Sequence, residues 1–340
     1  MKLKRNDTEL TGIFGIEKIN LVGENKNSVK WQEYRYIYTQ ASRLEITTTY
    51  PIQIDFELNA TCNLKCPMCP LSVEVNSEKK HILFPFEFFC KIIDDGVSKG
   101  LRAIKLNYLN EPLLRKDLEK FIAYAKKKGV MDIYFSTNGL LLDSARAQSL
   151  IDCGLDRIQV SIDAFSKKVY DKVRPGGNYE KVVQNVLNLM KLKQSIREGN
   201  LPLVRVNFVR TELNEHQLEE FIDFWEDKVD MIGSQEMIKP PKTSQELGSR
   251  TTSKKKDFSC SFPYKQLVIT AEGNVLPCCT FWGESMVLGN IFEQYKECGD
   301  ISLTNFWNSQ KMRDLRKLHK MCEYEKNPIC KKCIEGALIE

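Results

Sequence analysis

From residue 52 onward, short runs of apolar and β-branched residues alternate with amphipathic helical patterns, and few folds can accept such an alternation. Strand-like segments lie near 52–58, 103–108, 132–136, 157–162 and 203–209, with a sixth expected at Met231–Ile238. Between them, helical periodicity runs near 84–99, 115–128, 142–152, 178–193 and 214–227. Alternation of this kind predicts an α/β fold with a parallel sheet and right-handed crossovers.

The loop after the first strand carries the most specific chemistry. Pro51–Asn59 alternates apolar and polar residues, and Thr61-Cys-Asn-Leu-Lys-Cys-Pro-Met-Cys69 follows it. Cys62, Cys66 and Cys69 are spaced C-x3-C-x2-C, one thiolate short of closing a metal site. Iron–sulfur clusters are normally held by four cysteines, so three leave one iron open. An open position separates a catalytic metal site from a closed structural one. Two plainer readings stay open: a structural zinc completed by a distant fourth ligand, and free thiols that simply pack.

Further segments carry a resemblance. The chain resembles the radical S-adenosylmethionine (SAM) superfamily, whose signature is this cysteine loop after the first barrel strand. The resemblance implies a partial (β/α)6 TIM-like barrel and a 4Fe-4S cluster on Cys62, Cys66 and Cys69. It also implies SAM on the open iron, a 5′-deoxyadenosyl radical that abstracts a substrate hydrogen, and a flavodoxin- or ferredoxin-type electron donor. Leu109-Asn-Glu-Pro-Leu113 is similar to the family's Gly-Gly-Glu-Pro segment, with Leu109 and Asn110 in place of the glycines. By that likeness Glu111 takes the SAM amino group and Asn110 lies beside the cofactor. Thr137-Asn138-Gly139 matches the family's end of strand three, which makes Asn138 a cofactor-binding candidate. Ser161 is the candidate for the SAM carboxylate or ribose, and Arg174 for the carboxylate, which suits a planar guanidinium. Without the family, Glu111 and Arg174 read as exposed turn residues and Asp163 as a helix cap.

A second cysteine set lies beyond residues 239–258, a stretch rich in Pro, Ser, Thr and Lys that reads as a linker. Tyr264–Thr270 and Asn274–Leu276 look like a hairpin turning at Ala271-Glu-Gly273, which brings Cys260 towards Cys278. The region resembles the SPASM extension of radical SAM proteins, here with an opening pair and a closing Cys330-Lys-Lys-Cys333. The resemblance implies a small C-terminal α+β extension with one auxiliary 4Fe-4S cluster on Cys260, Cys278, Cys330 and Cys333. Cys279 is an alternative ligand to Cys278, and also a candidate hydrogen-atom donor of the kind found in radical SAM epimerases. A zinc ion on the same four thiolates is the plainer reading. The expected organisation is an N-terminal arm (1–50) packing on the barrel, a core (51–238), the linker (239–258) and the extension (259–340).

Composition narrows the function. Twelve cysteines without a secretory signal suggest metal or redox chemistry in the cytoplasm rather than disulfides. A scattered net charge of +5 gives no reason to expect nucleic acid, and no apolar run reaches the ~20 residues of a membrane helix. The expectation is an enzyme that oxidises or epimerises a small molecule such as a sugar or amino-sugar derivative. A maturase acting on a ribosomally made peptide is the alternative within the same chemistry. A zinc-binding scaffold without catalysis is the alternative outside it.

Overall fold

The computed structural model describes residues 4–5, 11–22, 29–72, 82–195, 201–237 and 258–335. The linker expected at 239–258, apart from Phe258, and Ile238 of the sixth strand lie outside them. The strands are β1 (Lys4–Arg5), β2 (Thr11–Phe14), β3 (Gln53–Phe56), β4 (Ala103–Lys105), β5 (Asp132–Thr137) and β6 (Arg157–Ser161). They continue with β7 (Leu203–Arg210), β8 (Met231–Glu236), β9 (Gln266–Ile269), β10 (Asn274–Leu276) and β11 (Gly289–Asn290). All lie in one sheet of order β1-β2-β8-β7-β6-β5-β4-β3-β9-β10-β11.

From β3 to β8 every neighbouring pair is parallel. The sheet ends at β1 and β11 without closing, so the six expected strands form an unclosed partial barrel. The helices are α1 (Val29–Ser42), α2 (Phe86–Lys99), α3 (Leu118–Lys128), α4 (Ser144–Asp152), α5 (Lys167–Val173), α6 (Tyr179–Ser195) and α7 (Leu218–Trp225). The C-terminal part adds α8 (Phe262–Lys265), α9 (Ile291–Cys298), α10 (Leu303–Trp307), α11 (Gln310–Lys320) and α12 (Pro328–Glu335).

The sheet's two faces differ in chemistry. Ile54, Phe56, Ile104, Ile133, Phe135, Ile158, Val160, Val204, Val206 and Phe208 are fully buried in the main core with the helices. Phe56 meets Phe84 and Phe89 edge to face, with centroids at 5.8 and 4.9 Å. Truncating such a ring to Ala costs about 3–5 kcal/mol. The alternate residues Gln53, Asp55, Tyr134, Gln159 and Arg205 are polar. A parallel sheet packed on both faces reads as nearly continuous apolar runs; here the second face is a polar lumen.

Two features join the outer segments to this frame. The C-terminal hairpin does not form a sheet of its own: β9 pairs in parallel with β3, in register Gln53↔Gln266 to Phe56↔Ile269. At the other edge, β2 pairs antiparallel with β8. Trp31 and Tyr34 of α1 bury against Ala103, Leu203 and Met231, residues at the starts of β4, β7 and β8. There Tyr34 Oη donates to Asp132 Oδ2 at 3.1 Å, and Arg157 grips both Asp132 oxygens at 2.7 and 2.8 Å. A buried carboxylate is tolerable because it is paired this way, and α1 thereby floors the barrel opposite the cysteine loop.

Candidate active site

Parallel barrels build active sites at the C-terminal ends of their strands, where the cysteine loop follows β3. Asn and Thr are natural turn formers because their short side chains bond to nearby backbone, and both flank this loop. Asn59 Nδ2 donates to Thr61 O at 3.1 Å and to Glu111 O at 3.3 Å, while Glu111 N donates to Thr61 O at 2.8 Å. Asn110 Nδ2 donates to Asn59 Oδ1 at 2.9 Å, and Asn110 Oδ1 accepts Tyr108 N at 2.9 Å. Asn110 therefore clamps the cysteine loop to the segment after β4. Neither Asn59 nor Thr61 stood out in the sequence; their turn chemistry beside the cysteines was the available signal.

Glu111 is buried, not an exposed turn residue. Its Oε1 accepts Leu113 N at 3.0 Å and the Thr137 hydroxyl at 2.6 Å, and its Oε2 accepts Asn138 N at 2.8 Å. A carboxylate oxygen has two lone pairs, so among the described residues Oε2 retains one acceptor position. Burial pushes the carboxyl upward, opposed by these hydrogen bonds. Asn138 Nδ2 donates to Asn63 Oδ1 at 2.7 Å and lies 3.9 Å from Cys62 Sγ, which ties the end of β5 to the cysteine loop.

Arg174 follows α5 and is buried as well. It pairs with Asp163, and its Nη1 lies 3.8 Å from Cys66 Sγ. Asp163 does not cap the next helix, whose N-cap is Ser166. Instead its backbone takes φ 61° and its Oδ1 accepts Val209 N at 2.8 Å, fixing the guanidinium beside the sulfur. Ser161 ends β6, half-buried, in register with Asn207.

Burial pushes the Cys62 thiol up to about 11 and the Cys69 thiol up to about 12. These groups become thiolates only beside positive charge, which a bound metal supplies and which Arg174 supplies to Cys66. Among the described residues, no three His, Cys, Asp or Glu side chains converge on a point where one ion could bind. Three thiols on one loop, a cation beside one of them and a spare carboxylate acceptor fit a three-cysteine cluster with SAM.

The second cysteine set lines one partly open pocket, in which Cys260, Cys278, Cys330 and Cys333 stand among apolar side chains. The hairpin β9–β10 turns at Gly273, with Val275↔Ile269 and Leu276↔Val268 opposite each other. Gly283 lets the loop close on the sulfur: a Cβ there would lie 2.7 Å from Cys278 O and 3.3 Å from Cys278 Sγ. Four thiols around one cavity fit a closed cluster. Cys279 does not line it and packs instead with Tyr108, Val268 and Leu276. It feels the charges of Asp55, Lys105 and Lys265, residues of the lumen side. Consecutive cysteines thus face the auxiliary cavity and the barrel interior.

Side-chain hydrogen bonds cross the interior. Gln53 Nε2 donates to Asp55 Oδ1 at 2.6 Å and Tyr134 Oη at 3.0 Å, and Gln266 Nε2 to Asp55 Oδ2 at 3.2 Å. Gln159 Oε1 accepts Ser136 Oγ at 3.0 Å and Arg205 Nη2 at 2.8 Å. Among the described residues no helix is long and apolar enough to cross a membrane.

Comparison with known proteins agrees with this geometry. Residues 56–224 match the model of the radical SAM superfamily, and residues 260–334 match that of the SPASM iron-sulfur cluster-binding domain. A probable GTP 3′,8-cyclase from Methanococcus maripaludis is 37% identical over 171 residues, covering 50% of this chain and 54% of the relative. One from Sulfurisphaera tokodaii is 34% identical over 167 residues, covering 49% of this chain and 50% of the relative. The chain thus spans about half the length of the curated relatives it matches. Among solved structures, BtrN in complex with AdoMet and 2-DOIA superposes with a TM-score of 0.55 at 21% identity, covering 84% of this chain and 94% of BtrN. Native anSMEcpe with bound AdoMet gives 0.62 at 16% identity, covering 84% and 89%. Streptococcus suis SuiB bound to precursor peptide SuiA gives 0.60 at 15% identity, covering 84% and 71%. With a core and a C-terminal domain each matched in its own right, the chain belongs to the radical SAM superfamily, in the form that carries a SPASM iron–sulfur domain.

Proposed function

We propose that this radical SAM enzyme oxidises or epimerises a small polar molecule such as a sugar or amino-sugar derivative. The observation that carries the reading is the pair Cys278–Cys279, one side chain lining the four-thiol pocket and the next packed with Tyr108, Val268 and Leu276 on the barrel side. When bound, the clusters and SAM would supply a 5′-deoxyadenosyl radical for hydrogen abstraction and an electron acceptor.

The chain's own residues bind and orient. Cys62, Cys66 and Cys69 hold the SAM-binding cluster, and Cys260, Cys278, Cys330 and Cys333 the auxiliary one. The spare acceptor position on Glu111 Oε2 takes the SAM ammonium. Arg174 balances the Cys66 thiolate and reaches the SAM carboxylate, while Ser161 serves the carboxylate or ribose. Asn110 and Asn138 act one step back, by holding the cysteine loop. Asp55, Gln53, Gln159 and Arg205 offer donors and acceptors suited to hydroxyl and amino groups. Cys279 faces the same interior, where a thiol can return a hydrogen atom for epimerisation.

The GTP 3′,8-cyclases share only about half their length with this chain, which leaves their substrate unassigned here. The open side of the sheet between β1 and β11 favours a second reading, a peptide substrate, and SuiB and anSMEcpe are each solved with a peptide bound. The test uses anaerobically reconstituted protein, SAM, a reductant and deuterated candidate sugars, amino sugars and peptides. Deuterium in 5′-deoxyadenosine identifies the substrate class. A product that has lost that deuterium and a second hydrogen marks oxidation, and a product in which a solvent hydrogen replaces the deuterium marks epimerisation. Transfer from peptides alone would contradict the small-molecule reading.

A further inference from the structure

Thr280 sits where the two cluster regions meet. Its Oγ1 lies 3.5 Å from Cys278 Sγ, its backbone N–H also bonds Cys278, and its hydroxyl is within reach of Cys333. The Thr280 carbonyl is held from two sides, by Tyr108 Oη at 2.8 Å and Gly283 N at 2.9 Å. Tyr108 stands three residues before Glu111, so a single hydrogen bond links the SAM-binding segment to the auxiliary loop. Trp282, Met286, Leu315 and Ile329 make much of the cavity wall apolar. In such surroundings a hydrogen bond to sulfur is worth more than it is in water.

We propose that the Thr280 hydroxyl is a positioning residue that raises the reduction potential of the auxiliary cluster by hydrogen-bonding its thiolate ligands. The inference rests on the reading of Cys260, Cys278, Cys330 and Cys333 as ligands. Its physics is that of charge: the reduced cluster carries one more electron, and a donor on sulfur stabilises that state more than the oxidised one. The change is one electron in, with no bond broken and the proton kept on Thr280. Tyr108 contributes by pinning the carbonyl, which aims the hydroxyl at the sulfurs.

The experiment is a potentiometric titration followed by electron paramagnetic resonance. It uses the full chain carrying Cys62→Ala, Cys66→Ala and Cys69→Ala, so that the auxiliary cluster alone is observed. Thr280→Val is expected to keep about four irons while the reduced-to-oxidised ratio at the parent midpoint falls about tenfold, equivalent to about 59 mV for one electron. Thr280→Ser, which restores the hydroxyl, is expected to stay within about twofold of the parent. A Thr280→Val cluster titrating at the parent midpoint overturns the proposal. If Thr280→Val fails to assemble its cluster, Tyr108→Phe takes its place, with an expected fall of about threefold; an unmoved midpoint there overturns it equally. Absence of any cluster in the parent would instead refute the four-thiol reading, a result separate from either.

Discussion

The Thr137 hydroxyl donates to Glu111 Oε1 at 2.6 Å, joining the end of β5 to the segment after β4. The contact helps to fix Glu111, whose Oε2 accepts Asn138 N at 2.8 Å and keeps one further acceptor position among the described residues. A hydrogen bond to a charged group contributes about 1.5–3 kcal/mol, so Glu111→Ala should weaken SAM binding about 10- to 100-fold. Isothermal titration of reconstituted protein checks this, and unchanged affinity would remove Glu111 from the site. Thr137→Val, which leaves Oε1 with the Leu113 N bond and loosens the carboxylate, should weaken binding in the same direction by a smaller factor.

Cys278 and Cys279 should separate cleanly on substitution. Cys278→Ala is expected to lose the auxiliary cluster, lowering the iron content from about eight to about four per chain. Cys279→Ala should keep its iron, because its side chain packs with Tyr108, Val268 and Leu276. Loss of iron in the Cys279 variant with retention in the Cys278 variant would reverse the assignment of faces. If the reaction is an epimerisation, Cys279→Ala should also stop solvent hydrogen from entering the product.

Asp55 makes stability depend on pH. Burial raises its carboxyl from an ordinary 3.8 to about 6, against the pull of Lys105 and its hydrogen bonds. A group raised on folding contributes stability that is complete below its unfolded value and is lost as pH climbs through the folded value. The chain should therefore lose on the order of 3 kcal/mol from this group between about pH 4 and pH 6. Asp55→Asn should flatten that window in urea unfolding of metal-free protein. An unchanged slope would mean that Asp55 stays ionised throughout.

Much of this architecture was legible because its signals are local. The strands announced themselves through buried positions such as Ile54, Ile133 and Val206, and the cysteine loop through spacing alone. What stayed hidden depended on distant partners. α1 has a usable stripe in Trp31, Tyr34 and Ala41, but its many polar residues mask it, and its place under the barrel needs Asp132 and Arg157. The parallel pairing of β9 with β3 joins Gln53 to Gln266, far beyond any local pattern. Arg174 could not be told from an exposed turn residue until Asp163, set by an unusual backbone angle, was seen to hold it against Cys66. The split between Cys278 and Cys279 was equally hidden. Strand alternation from Leu276 would place Cys278 on the inner side, but the chain leaves β10 at Leu276 and the bend reverses the order.

The most direct test of the account counts iron and product together. Wild-type protein, reconstituted anaerobically and given SAM and dithionite, should hold about eight irons and release 5′-deoxyadenosine. The Cys62→Ala, Cys66→Ala, Cys69→Ala variant should keep about four irons and release none. Continued 5′-deoxyadenosine formation by that variant, or a colourless wild-type protein holding zinc in place of iron, would contradict the assignment of the active site.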